Sequence, residues 1–372
     1  MKKICHVTSA HPVEDGRIFR RACVSAAKAG YETYLVEQGE TYDKNGVHII
    51  GIGIPRYRNR LYRMLFFSRK AYYRALAIDA DLYQIHDPEL LPFAQKLKRL
   101  GKAVIFDSHE NYEEQIKHKP YLPKGVATII SKWYAAYSRK TFRMLDGITY
   151  PGSDEYESVY FGLNQRIVAT DNLPWLGEIY DFYCENEQRD PNAVCYIGSL
   201  SESRGITQIV KACSMAKCKL YLAGTFSSQQ YKYSLERMEE YSCVEYLGVV
   251  ERDGIIQLLQ HVSVGLCTLL NVGQYYEMQN LPTKVYEYMS MALPVIMSDS
   301  PFNIRINNEL HIGICVNPKD TVALGKTIRK LLDNPSLCKE FGDNGRKAIK
   351  SNFCWDREQD KLIKMYVDIL GE

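Results

Sequence analysis

Three groupings of residues in this chain have the types and spacing to do chemistry. In the stretch Asn280–Asp299, NLPTKVYEYMSMALPVIMSD, Lys284 and Glu287 stand three apart and so share one helix face. Leu281-Pro282-Thr283 reads as the helix start, with proline in a first turn that needs no N–H and Thr283 as its cap. Free N–H groups and the dipole at a helix start attract anions, and Lys284 adds a full positive charge. Glu287, one turn on, suits the vicinal diol of a ribose. Phosphate and ribose together mean a nucleotide. The competing reading is a weak i,i+3 surface ion pair. The proline-led start and the apolar strand Pro294–Met297 that follows favour the nucleotide.

The second grouping is Gly198-Ser199-Leu200-Ser201-Glu202-Ser203-Arg204-Gly205, between an apolar run at 193–197 and a helical pattern at 206–216. Gly198 and Ser199 let backbone approach a phosphate, and Arg204 can hold it with a forked pair of hydrogen bonds. The third lies earlier. An apolar run at 81–85 leads to His86-Asp87-Pro88-Glu89, and another at 103–106 leads to Asp107-Ser108-His109-Glu110. Two successive strands that both end in histidine with carboxylates point to a site. The loop His11-Pro12-Val13-Glu14-Asp15-Gly16-Arg17 follows the first strand and lacks G-x-G-x-x-G; His11 and Arg17 fit a local structural role as well as a functional one.

Positioning these groups requires strands alternating with helices. Strand 3–9, helix 18–30 closed by Gly30, and strand 31–36 make a parallel βαβ unit. Strands at 81–85, 103–106 and 148–151 extend that sheet, with Ser153 expected to cap the next helix. Further strands at 193–197, 219–223, 244–248, 264–270 and 294–297, with helices at 206–216, 255–261, 322–332 and 358–370, form a second set. The fold class is α/β with two doubly wound domains. A chain of 372 residues suits two cores. The expected boundaries are 1–170, a polar linker 171–192, a second domain 193–352 and a terminal helix 353–372.

At this point the chain resembles a family. The segment with Lys284 and Glu287, the G-x-L…[KR]-G pattern at Gly198–Gly205 and the H-P-x-x-D-x-R-I-F opening resemble retaining glycosyltransferases of the GT-B fold, in the group 1/family 4 that includes bacterial enzymes of cell-surface polysaccharide synthesis. The resemblance covers nearly the whole chain and is strongest over 198–299. It implies two Rossmann-like domains facing a cleft, with the last helix returning to the first domain. It implies a nucleotide diphosphate-sugar donor, UDP or GDP linked, held by Gly16, Gly198, Ser199, Arg204, Val249, Gln279, Asn280, Leu281, Thr283, Lys284 and Glu287. Val249 would pass the nucleobase. Arg204 and Lys284 would neutralise the leaving diphosphate, and with Glu287 and His109 they are the expected catalytic residues. His86, Asp87, Glu89 and His109 are expected to bind the acceptor, a glycan or lipid-linked glycan. The family has Glu eight residues before the second Glu, where this chain has Gln279; an amide can hydrogen-bond sugar hydroxyls but carries no charge.

No Asp-x-Asp accompanies the cations, so neither metal nor cofactor is expected. A nucleotide-sugar epimerase or phosphorylase on the same fold, or an inactive sugar- or lipid-binding partner protein, are the rival readings. Net charge is +3, but residues 1–170 carry 26 basic against 18 acidic residues, so the first half is the side to meet an anion. Residues 56–77 have no acidic residue: Leu61, Met64, Leu65, Tyr72, Ala75 and Leu76 share one helical face, and Arg60, Arg63, Lys70 and Arg74 another. That stretch, like Lys132–Arg143, is either a solvated basic face or a contact for anionic lipid. No nucleic-acid-binding motif accompanies the charge. No apolar run reaches a membrane span, the start lacks a signal-peptide pattern, and the 11 cysteines show no C-x-x-C, which together predict a cytoplasmic protein, with peripheral membrane contact as its one extension.

Overall fold

The computed structural model describes residues 1–54, 62–117, 123–152, 154–270 and 279–371. Ser153 and the start of the basic stretch, including Arg56, Arg60 and Leu61, lie outside the described residues. The chain divides into two compact units, Met1–Asn172 with Arg357–Glu372, and Leu173–Asp356. Residues 173–192, expected as a linker, belong to the second unit, where Leu173 and Ile179 are buried in its core.

The first unit is built on β1 (Lys3–Val7), β2 (Glu32–Glu37), β3 (Tyr42–Lys44), β4 (Val47–Gly51), β5 (Leu82–Ile85), β6 (Ala103–Asp107), β7 (Gly147–Tyr150) and β8 (Ile167–Ala169). Their order is β3-β4-β2-β1-β5-β6-β7-β8, parallel except for the β3–β4 pair. Strands β5 and β7 are wholly buried, as expected where both faces of a parallel sheet are covered. A π-helical segment, Ile18–Cys23, runs into α1 (Val24–Lys28). Helices α2 (Ser68–Ile78), α3 (Leu91–Arg99), α4 (Tyr112–Lys117) and α5 (Lys124–Phe142) complete the principal cover. In α2 the buried positions are Ser68, Ala71, Tyr72 and Ala75. Met64 and Leu65, expected on that inward face, are exposed, because the π-helical Arg63–Phe67 segment rotates them away.

The second unit carries β9 (Ala193–Ile197), β10 (Lys219–Ala223), β11 (Val244–Gly248), β12 (Val264–Cys267), β13 (Val295–Ser298) and β14 (Gly313–Val316) in the all-parallel order β11-β10-β9-β12-β13-β14. Its principal helices are α6 (Ile206–Ala216), α7 (Arg252–His261), α8 (Thr283–Ser290), α9 (Pro301–Leu310), α10 (Thr321–Leu332) and α11 (Pro335–Ser351), with two apolar cores on the two faces of the sheet. The final helix α12 (Trp355–Leu370) begins in the second unit and buries Leu362, Met365 and Tyr366 in the first, where the Tyr366 hydroxyl donates to Gln84 on β5. Both sheets reverse direction of winding at one place, between β1 and β5 and between β9 and β12. Such switch points, at the carboxyl ends of the strands, are where open α/β sheets bind ligands.

Candidate active site

At the second unit's switch point, β9 ends in Gly198, whose φ of 115° favours glycine. A Cβ there would stand 3.1 Å from Lys284 Nζ, so the missing side chain makes room for the amine. Gly205, with φ 74°, closes the Glu202–Arg204 turn against the end of β12; a Cβ on it would fall 2.2 Å from the Thr268 carbonyl oxygen. The Leu270 N–H donates to Ser203 O at 3.0 Å and ties the same turn to the β12 loop. Arg204 is thereby fixed beside the carboxyl end of β12.

Lys284 lies in the first turn of α8 and is buried, 7% exposed. Its ammonium sits 3.6 Å over the Tyr196 ring and has no hydrogen-bond partner. Burial pushes its pKa down to about 8; Cys267 pulls it up and the charge of Arg204 pushes it further down. The Cys267 thiol, raised by burial, feels both cations, so both act on one end of one strand. Glu287 is not paired with Lys284: its Oε1 accepts from Arg252 Nη1 at 2.5 Å, which disposes of the surface-pair reading. Arg252, at the start of α7, was invisible to sequence reasoning because 35 residues separate it from Glu287.

The remaining expected donor groups are spread around this point. Ser199 and Gln279 are exposed, Asn280 is half-buried, and Val249 is 75% exposed just beyond β11. Thr283 is exposed but caps nothing; Pro282 takes the cap position and Thr283 the first helical one. The Leu281 side chain is buried in the core and only its backbone could face a ligand. Thr268 Oγ1, buried without a partner at the end of β12, was not anticipated.

At the first unit's switch point the histidines and carboxylates form one buried network. Asp107 accepts from Arg17 Nη2 at 2.6 Å, Thr149 Oγ1 at 2.7 Å, His86 Nδ1 at 3.0 Å and His109 Nε2 at 3.2 Å. A carboxylate only accepts, so His86 carries its proton on Nδ1 and His109 on Nε2. His86 Nε2 then accepts from His6 Nδ1 at 3.2 Å, and His6 Nε2 is left without a partner. Burial, with His86 alongside, holds His6 well below its usual pKa. Burial also brings His109 down to about 4, against the pull of Asp107. Burial raises Asp107, but Arg17 and His109 outweigh it and hold the carboxylate well below its usual range.

Two expected acceptor groups are therefore corrected. His86 is fully buried with both ring nitrogens engaged. Asp87 is buried and satisfied by Ser9 N at 2.5 Å, His11 Nδ1 at 2.9 Å, Thr8 Oγ1 at 3.0 Å and Ala10 N at 3.1 Å. Burial pushes Asp87 up, yet His11 and these donors bring it to about 2. Both residues shape the loop after β1. Glu89, half-buried beside Ser9 Oγ at 3.3 Å, and His109, tilted against His11 with ring centroids 4.3 Å apart, stay at the rim. Gly16 is not demanded by its own fold, since a Cβ there would make only an ordinary 3.4 Å contact. His86, Asp107 and His109 also bring three potential metal-ligand atoms within 4.8 Å. That donor set fits a cation poorly, because Asp107 already bears a buried guanidinium and two imidazole N–H groups.

Two open parallel sheets, each with its polar groups at a switch point, define a protein of the GT-B fold class. Residues 16–167 match the family described as Glycosyltransferase Family 4, and residues 184–348 match Glycosyl transferases group 1. The chain belongs to the group 1/family 4 glycosyltransferases. It is 22% identical over 289 residues to EpsD of Bacillus subtilis, named as a glycosyltransferase, covering 73% of this chain and 71% of EpsD. It is 23% identical over 188 residues to CapM of Staphylococcus aureus, a capsular polysaccharide biosynthesis glycosyltransferase, covering 49% of this chain and 48% of CapM. Sucrose-phosphate synthase from Thermosynechococcus elongatus superposes with a TM-score of 0.74 over 100% of both chains at 14% identity. HepE from Anabaena, solved in complex with UDP, gives 0.68 at 12% identity over 99% of this chain and 100% of its own. At these identities the structural likeness is one of fold.

Proposed function

We propose that this glycosyltransferase moves a sugar from a nucleotide diphosphate-sugar, UDP or GDP linked, to a hydroxyl of a glycan or lipid-linked glycan in polysaccharide synthesis, with retention of anomeric configuration and without metal. The reading rests on the buried Lys284 ammonium, which has no hydrogen-bond partner and stands at the start of α8 beside Gly198 and the Arg204 turn. A diphosphate would satisfy it. As the bond from the sugar's anomeric carbon to the diphosphate breaks, charge builds on the leaving oxygen, and cations fixed beforehand favour that state over the ground state. Two such cations supply what a divalent ion otherwise would. The acceptor oxygen bonds to the anomeric carbon from the face the diphosphate leaves, and its proton passes to the departing diphosphate. Glu287, held by Arg252, accepts from the ribose diol. His109, neutral and with its proton on Nε2, offers Nδ1 as an acceptor for a sugar hydroxyl. The names of CapM and of the UDP complex of HepE support polysaccharide assembly and a uridine donor.

The test is a binding panel of UDP, GDP and their sugars on the wild type and on Lys284→Met, a swap that keeps bulk and removes charge. One diphosphate should bind the wild type in the micromolar range, and the variant at least tenfold more weakly. No diphosphate binding by the wild type, or undiminished binding by Lys284→Met, overturns the proposal.

A further inference from the structure

Helix α5 carries apolar side chains on its outward face as well as its inward one. Its inward face mixes small or polar residues, Ala127, Ser131, Ser138 and Thr141, with the aromatic rings of Tyr134 and Phe142. Ser131 Oγ donates to Glu113 O of α4 at 2.8 Å, and Gln95 Nε2 of α3 donates to Thr141 Oγ1 at 2.6 Å. Its outward positions are apolar. Val126, Ile129, Ile130 and Trp133 follow the i, i+3, i+4, i+7 spacing of one helical stripe, and Ile129 and Trp133 are 70% and 67% exposed. Tyr137, half-buried at the edge of the stripe, stacks on Trp133, with ring centroids 5.5 Å apart and planes 4° from parallel. An ordinary surface helix keeps its outward face polar.

The charges along the helix say what covers the stripe. Lys132, Arg139 and Arg143 line one flank, Lys140 sits at the end of the stripe, and the helix holds no acidic residue. Among the described residues, Glu113 engages this flank, 3.5 Å from Arg139. A second copy packed antiparallel across a two-fold axis would bring this basic flank against itself, which like charges oppose. The core of a protein partner's interface is depleted in lysine. An apolar stripe with tryptophan, flanked by lysine and arginine that can reach outward along their stems, suits the boundary of a bilayer carrying negative headgroups. The same unit repeats the composition on the segment 64–74, where Met64, Leu65, Phe66 and Tyr73 are exposed along with Arg69, Lys70 and Arg74.

We infer that α5 docks the first unit on an anionic membrane surface, lying in the plane of the headgroups. No described helix is long and apolar enough to cross a membrane, so the contact is peripheral. The inference deepens the proposal of a lipid-linked acceptor, since α5 braces α4, which starts three residues after His109.

The test is co-sedimentation of the full chain with phosphatidylcholine vesicles containing about 40 mol % phosphatidylglycerol, against phosphatidylcholine alone, at about 0.1 M salt. The wild type should pellet with the anionic vesicles and lose most of that binding at about 0.5 M salt. The double variant Ile129→Ser/Trp133→Ser should lose binding at least tenfold and melt at the wild-type temperature, because both side chains are exposed. Lys132→Gln/Lys140→Gln should weaken binding and flatten its salt dependence. Diphosphate binding by the second unit should be unchanged in all variants, so failure here is separable from failure of the donor reading. Absence of vesicle binding by the wild type overturns the inference, as does undiminished binding by Ile129→Ser/Trp133→Ser. Self-association in sedimentation velocity that this double variant abolishes would assign the stripe to a second copy instead.

Discussion

Burying a lysine ammonium with no hydrogen-bond partner is unfavourable, and the cost shows in its titration. Lys284 in the folded chain titrates at about 8, below its ordinary 10.5. A folded pKa below the unfolded one means that the protonated amine destabilises the fold. The penalty is complete below about pH 8, at roughly 3 kcal/mol for a shift of this size, and fades as pH rises toward 10.5. Lys284→Met should therefore raise the melting temperature of the ligand-free protein at pH 7 by several degrees while losing diphosphate binding, a combination a purely structural lysine would not give. Differential scanning calorimetry reads it directly. A bound diphosphate should pull the same amine back up, so binding above pH 8 must take up a proton. Affinity for UDP should accordingly fall between pH 8 and 9.5, approaching tenfold per unit. Calorimetric titrations in buffers of different ionisation enthalpy should show the proton uptake at pH 8.5, and its absence would mean that Lys284 does not meet the phosphates.

At the scale of elements, Glu287 depends on a neighbour from another helix. Arg252 opens α7 and grips Oε1, which fixes the carboxylate and leaves Oε2 for a diol. Arg252 is 38% exposed, so Arg252→Ala should cost little stability, within about 1 kcal/mol. It should raise KM for the nucleotide-sugar about five- to twentyfold with kcat nearly unchanged, and should shrink the wild-type preference for UDP over its 2′-deoxy analogue. Steady-state kinetics with both donors checks the split. The α/β class and the central strands were legible because buried parallel strands are short continuous apolar runs, as at 193–197 and 219–223. The β3–β4 pair, β8 and β14 escaped notice, being short and only partly buried. Helix α5 was half legible: its basic-aromatic end stood out, but its inward serines hide the usual pattern. Lys284 and Glu287 could be singled out as candidates from local spacing, and Arg204 from the glycine- and serine-rich loop that carries it. The Arg17–Asp107 pair and the engagement of His86 and Asp87 could not, since Arg17 lies 90 residues from Asp107, His6 80 from His86 and Ser9 78 from Asp87.

The whole chain crosses between units twice, after Asn172 and after Asp356, and the second crossing has a consequence for folding. Leu362, Met365 and Tyr366 of α12 are each 2% exposed or less, and all three are buried in the first unit. Gly147 on β7 leaves space for Met365, since a Cβ there would lie 3.1 Å from its sulfur. Burying three such side chains contributes on the order of 5 kcal/mol, a large part of the 5–15 kcal/mol that usually holds a domain together. Deleting residues 357–371 should thus leave the first unit without a cooperative melt and with apolar surface that binds ANS. The second unit needs nothing beyond Asp356: it holds a complete six-stranded sheet, both of its cores, Arg204, Lys284, and the Arg252–Glu287 pair. Expressed alone, 173–356 should melt cooperatively and bind the diphosphate within about threefold of the full chain, while transferring no sugar, because the proposed acceptor groups His109 and Glu89 belong to the other unit. A folded 173–356 fragment that fails to bind any diphosphate bound by the full chain would show that the Lys284 and Arg204 cradle is not sufficient for the donor.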